Sequence, residues 1–168
     1  MHTCRPQDTS IYFYVLFGLL EGQSACNKRK CEMKIKTDNI FQVVEIDASI
    51  SDVYKCLIDE KLHAKFTGMS AHISKEVGGE FETCDGANSG FNIYLKKNEK
   101  IVQAWSQKEM GEGVYTIVNI ELEKIEHGTR INFNHLGVPE EHSGRLTEGW
   151  KKVYWGPLTD FLTQKVLS

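Results

Sequence analysis

The rhythm of hydrophobic and polar positions changes several times along this chain, and each change predicts a different element. From Asn39 to Asp47, NIFQVVEID is rich in β-branched and aromatic residues, the composition of a strand. Val53, Tyr54, Leu57 and Ile58 then recur at helical spacing, with Ser49 or Ser51 available as the cap. Leu62, Ala64 and Phe66 mark a second short helix that ends at Thr67-Gly68.

From Ser70 to His135 the period falls to two, and turn residues punctuate it at Gly78-Gly79, Asp85-Gly86, Lys97-Asn98, Gly111 to Gly113 and His127-Gly128. Such a run predicts an antiparallel meander. Phe91, Ile93 and Leu95 share one strand face, as do Val118, Ile120 and Leu122, and then Ile131 and Phe133. One face of the sheet is therefore apolar and needs a cover.

The last segment supplies the cover. Leu146, Gly149, Trp150, Val153, Tyr154, Pro157, Leu158, Phe161, Leu162 and Val166 recur at three- and four-residue steps, an apolar stripe along one long helix. Pro157 cannot donate a backbone hydrogen bond and is expected to bend that helix, with Gly156 easing the strain. The pattern predicts an α+β fold: a curved antiparallel β-sheet around a long C-terminal helix, with two short helices after the first strand.

Residues 1–32 have a different character. Ile11 to Leu20, IYFYVLFGLL, is an apolar run of signal-sequence length, too short to span a bilayer as a helix, and QSAC ending at Cys26 resembles a lipoprotein box with Gln23 out of pattern. Three readings stay open: a start assigned upstream of a natural one at Met33, a secretory or lipid-anchoring leader, or an ordered N-terminal helix. In each, the domain is expected over 33–168 with 1–32 as a non-domain leader. The expected location is cytoplasmic, or secreted or lipid-anchored if residues 11–26 act as a signal.

Composition narrows the function classes. The 168 residues suffice for one domain with its own core, and 26% charged with 40% apolar residues is ordinary globular usage. A net charge of −3 gives no basic footprint for nucleic acid, and no membrane role is expected unless the leader is an anchor. The five cysteines, Cys4, Cys26, Cys31, Cys56 and Cys84, show no C-x-x-C spacing and read as free thiols.

His135, Glu140, Glu141 and His142 are the residue types of a metal or acid/base centre. Strand parity with Ile131 and Phe133 turns His135 inward, however, whereas Pro139 to His142 falls in the approach to the helix, where acidic residues suit the helix dipole. No metal, cofactor or catalytic dyad is expected. Tyr154, Thr129 and Tyr115 are the remaining polar groups that an enzyme could use beside His135. The glycine pairs fit no nucleotide-binding spacing. Phe81, Phe91, Trp105, Phe133, His135, Trp150, Tyr154 and Leu158 are the candidate lining of a ligand pocket; a filled core made of the same residues is the competing reading.

Several words in the chain resemble one family: IDASISDVYKCLID (Ile46 to Asp59), HAKFTG (His63 to Gly68), GGEF (Gly78 to Phe81) followed by Asp85-Gly86, KIVQAW (Lys100 to Trp105), GTRINFNHLGVPEEH (Gly128 to His142) and GWKKVYWGPL (Gly149 to Leu158). They resemble the START-like, or SRPBCC, superfamily with its helix-grip fold, and within it the family of the heat shock protein 90 ATPase activator's C-terminal domain. The resemblance implies a cavity between sheet and helix for a small apolar or amphipathic ligand. It also implies a heat shock protein 90-type chaperone as a partner in a stress response, and, elsewhere in the superfamily, cyclase or dehydratase enzymes. The full activator has a large N-terminal domain, and none is expected before Asn39.

Overall fold

A computed structural model of the chain describes residues 36–166. Cys4, Cys26, Cys31, the Ile11 to Leu20 run and the start at Met33 lie outside the described residues.

The first strand, β1 (Thr37–Ile46), leads into α1 (Ile50–Ile58) and α2 (Glu60–Thr67). Ser49 caps α1 by accepting the Asp52 N–H at 3.1 Å and donating its hydroxyl to the Asp52 carboxylate at 2.7 Å. Asp59 caps α2 through the Lys61 and Leu62 N–H groups, and Gly68, in the left-handed region at φ 70°, ends it. The apolar stripe read from the sequence is the face these helices bury: Val53, Tyr54, Leu57, Ile58 and Phe66 all lie in the core.

The meander follows as β2 (Ala71–Ile73), β3 (Glu80–Thr83), β4 (Asn88–Lys96), β5 (Lys100–Gln107), β6 (Thr116–Ile125) and β7 (Gly128–Pro139). A single 3-10 turn, Lys108–Met110, follows β5. The strands form one seven-stranded sheet in the order β1-β7-β6-β5-β4-β3-β2, every pair antiparallel. Only β1 pairs out of sequence order, with β7. Val118, Ile120, Leu122, Ile131 and Phe133 all point to the covered face, and burying each such side chain contributes about 1.5–3 kcal/mol.

One strand departs from the expected alternation. Phe91 and Ile93 face outward, each 41% exposed, and Phe91 packs against Tyr115 on the open side, with ring centroids 5.9 Å apart. The inward positions of β4 are instead Asn88, Gly90 and Asn92, and a bulge between Asn92 and Tyr94 resets the register so that Leu95 pairs with buried Ile101. Gly90 is required there: a Cβ would stand 1.9 Å from the Ala104 carbonyl oxygen and 2.8 Å from the Phe81 ring. Phe91 is thus removed from the candidate pocket lining.

The C-terminal cover is one helical run in three sections: α3 (Glu140–Gly149), a π-helical turn over Trp150–Trp155, and α4 (Gly156–Val166). It begins earlier than expected, since β7 passes through Pro139 directly into α3. Glu140 to His142 form the first helical turn rather than an approach to it. Gly156 donates its N–H to the Lys151 carbonyl five residues back. Pro157 has no N–H for the Val153 carbonyl, and the chain accommodates that loss with one residue of slack in a π turn. Among the described residues, no helix is long and apolar enough to cross a membrane.

Candidate functional site

The sheet presents Trp105, Phe133 and His135 to the helix, and the helix answers with Trp150, Tyr154, Trp155 and Leu158. Phe81 joins from β3, 5.2 Å from Trp105 between ring centroids. The aromatic rings meet directly, with Phe133 at 4.4 Å and Trp105 at 5.0 Å from Trp150, and Tyr154 at 4.5 Å on its other side. Of the eight candidate lining residues, all but Phe91 therefore gather in one buried cluster.

Trp155 belongs to this cluster and lay outside the sequence stripe. In an α-helix its five-residue distance from Trp150 would turn it away, but the i→i+5 closure of the π turn brings it back under Trp150, where the two indoles stack at 5.5 Å and 19°. Its indole N–H donates to the Gln42 side-chain oxygen at 2.6 Å, fastening helix to β1. The Gly156-Pro157 pair carried the signal for this irregularity.

His135 is fully buried, and its hydrogen bonds fix its chemical state. The Trp150 indole N–H can only donate, and it points at Nδ1 at 3.1 Å, so Nδ1 must be the unprotonated nitrogen. Nε2 then carries the proton and donates to the Thr116 hydroxyl at 2.7 Å, which in turn donates to the Trp105 carbonyl at 3.2 Å. Burial lowers the imidazole pKa to about 4. Both ring nitrogens are committed to protein neighbours, which leaves His135 nothing to offer a substrate.

A second chain of side chains supports Trp105. Its N–H donates to Gln103, whose amide donates to Asn92, which donates to the Ser74 and Glu76 carbonyls. The groups weighed beside His135 are dispersed: Thr129 donates to the Ala48 carbonyl at 2.9 Å, and Tyr115 is exposed on the far side of the sheet. His142 lies 3.5 Å from the neighbouring Glu141 carboxylate on the first turn of α3. His63 is the second buried imidazole, packed between Phe66 and Tyr154. No well-aligned hydrogen bond reaches its two nitrogens; burial lowers its pKa to about 4, and the nearby Leu57 carbonyl offsets that only in part.

The aromatic cluster does not fill the whole grip. Towards α3 a cavity of about 230 Å³ remains, lined by Trp105, Trp150, Tyr154, Asn88 and Leu146, with Arg145 on its solvent side. Its inner end is polar: the Tyr154 hydroxyl lies 3.2 Å from the Thr83 hydroxyl and 3.9 Å from the Cys84 sulfur. Burial pushes the Tyr154 phenol well above its ordinary pKa and raises the Cys84 thiol, so both stay neutral. Gln107 donates to Asn88 at 2.8 Å and accepts from Arg145 at 3.4 Å, linking that end to the mouth. A larger, open groove of about 580 Å³ runs between β1 and the helix past Phe41, Val43 and Trp155, where the Gln42 side-chain oxygen and the Trp155 indole N–H are already paired with each other.

The family model described as Activator of Hsp90 ATPase homolog 1-like protein matches residues 47–163. The activator of 90 kDa heat shock protein ATPase homolog 2 of Mus musculus is 25% identical over 130 residues, covering 77% of this chain and 39% of that protein. The homologous activator of Dictyostelium discoideum is 28% identical over 109 residues, 64% of this chain and 28% of that protein. The chain thus spans well under half the length of these relatives. Among solved structures, an Hsp90 activator from Plasmodium falciparum superposes with a TM-score of 0.69 at 19% identity, covering 74% of this chain and 96% of that one. The Aha1 dimer from Colwellia psychrerythraea gives 0.65 at 20% identity, covering 74% and 96%. At these identities the structures establish the shared helix-grip fold.

Proposed function

The chain belongs to the Activator of Hsp90 ATPase homolog 1-like family, and from that premise we propose that its helix-grip domain binds a small, ring-sized ligand in the cavity beside Trp150. The observation that carries this reading is the cavity itself: about 230 Å³, apolar-walled by Trp105, Trp150 and Leu146, with a few polar groups converging at its inner end. An apolar cavity of about 150 Å³ in another protein holds benzene, so one or two rings fit here and a long acyl chain does not. The absence of an uncommitted acid or base among these lining groups favours binding over catalysis. The phenol and thiol are neutral and His135 is locked in its tautomer.

Tryptophan fluorescence tests it directly, because Trp105 and Trp150 form the wall. Titration with one- and two-ring compounds should quench or shift that emission saturably in the full chain, and should lose its effect when Gly149→Leu fills the cavity. A flat response across the panel sinks the reading.

Family membership favours a second role, regulation of a heat shock protein 90-type chaperone, because the relatives are named for that activity. The chain corresponds to a part of those proteins, so the expected effect is contact with the chaperone and weak stimulation. Co-precipitation with purified chaperone and its ATP turnover measure this, and no change in either retires it.

A further inference from the structure

The cavity is built with a sidedness that its volume alone does not convey. Its inner end holds neutral groups, the buried Tyr154 and Thr83 hydroxyls and the half-buried Cys84 thiol, where an ion would lose water without gaining a countercharge. Its outer end holds Arg145, whose side chain is 51% exposed and which lines the cavity from α3 together with Leu146 and Gly149, next to Trp150 on the π turn.

Arg145 is only half used. Its Nη2 meets the Glu109 carboxylate at 2.7 Å and the Gln107 side-chain oxygen at 3.4 Å. Among the described residues both polar partners fall on that one nitrogen, so Nε and Nη1 keep free donors. Glu109 is itself well exposed, so its pairing with Arg145 is a surface ion pair that contributes little and is easily exchanged. A guanidinium fork at the mouth of an aromatic slot suits a planar oxyanion, which it can hold by two parallel bonds.

We propose that the ligand is an aromatic carboxylate: its ring lies against Trp105, Trp150 and Tyr154, and its carboxylate sits on Arg145, taking the place of Glu109. This rests on the reading of the cavity as a ligand site. The sidedness sets the orientation, ring inward and charge outward. Gln107 completes the mouth, with its amide donating to Asn88 and its oxygen facing the guanidinium.

The test is calorimetric titration of the full chain with 1-naphthaleneacetate and with its neutral amide, 1-naphthaleneacetamide. The carboxylate should bind about tenfold more tightly than the amide, with a preference that shrinks as salt rises. Arg145→Gln should bring the carboxylate down to the affinity of the amide, and Glu109→Gln should strengthen the carboxylate by removing its competitor. Both positions are exposed, so the variants keep the core intact. Equal affinities for the two probes in the unaltered chain overturn the head-group assignment and leave the cavity reading standing. Binding of neither probe overturns both.

Discussion

The indole N–H of Trp150 donates to Nδ1 of His135 at 3.1 Å, and that one donor decides which proton the imidazole carries. With Nδ1 occupied as an acceptor, Nε2 must donate to Thr116, and the Thr116 hydroxyl must donate onward to Trp105. Protonating His135 would set an N–H against an N–H in the core.

Thr116→Val is the cleanest probe of this chain, since the shape is kept and the hydroxyl lost. It leaves the His135 Nε2–H without its acceptor and the Trp105 carbonyl without the hydroxyl donor, and should cost about 1–3 kcal/mol in urea unfolding. Nitrogen-15 spectra should show the Nε2–H tautomer in the unaltered protein. An Nδ1–H signal there refutes the assignment.

Acid should unfold the protein through the two buried histidines among the described residues. His63 and His135 are held near pKa 4 in the fold against about 6.5 in the unfolded chain, so only the unfolded state takes up protons between those values. Their contribution is intact above about pH 6.5, and stability falls as pH drops towards 4, by about 1.4 kcal/mol per pH unit for each. His63→Phe removes an imidazole whose nitrogens make no well-aligned hydrogen bond and preserves a ring between Phe66 and Tyr154. It should halve the slope of stability against pH over that window without lowering stability at pH 7. An unchanged slope rules His63 out as a contributor.

Two glycines should respond in opposite directions. Gly90→Ala drives a Cβ into the Ala104 carbonyl of the neighbouring strand and should cost about 3 kcal/mol or prevent folding. Gly144, inside α3, has open space where a Cβ would go, and Gly144→Ala should stabilise by up to about 1 kcal/mol. Thermal melts of the two variants check both signs.

Trp155→Ala should cost about 3–5 kcal/mol, as much as Trp150→Ala, because the π turn makes both indoles core residues. If the helix ran in unbroken α register, Trp155 would lie off the buried stripe and the loss would be small. Parallel denaturant titrations of the two variants distinguish these cases.

Strands β6 and β7 were legible because an unbroken apolar run, Val118, Ile120 and Leu122 on one and Ile131 and Phe133 on the other, occupies their inward positions between buried Thr116, Thr129 and His135, so parity alone places them. Strand β4 was not, because its covered face is amide and glycine: Asn92 is buried by a hydrogen-bond chain reaching Trp105, and Gly90 by the approach of Ala104. Phe91 then occupies the open face, where Tyr115 shields it in part. Parity also turned His135 inward correctly, but its partners Thr116 and Trp150 come from β6 and the helix, and only tertiary pairing joins them. Arg145 carries no pattern in the sequence; its place at the cavity mouth depends on where α3 begins, one turn earlier than the periodicity indicated.

The π turn at Trp150–Trp155 divides the covering helix into two halves that are out of phase by one residue. Upstream, α3 carries Arg145, Leu146 and Gly149 on the cavity wall; downstream, Leu158 and Leu162 on α4 are fixed in the core. A phase break of this kind acts as a joint between interchangeable parts. Substitutions in α3 can reshape the cavity for a different guest while the anchoring half keeps its registration with the sheet.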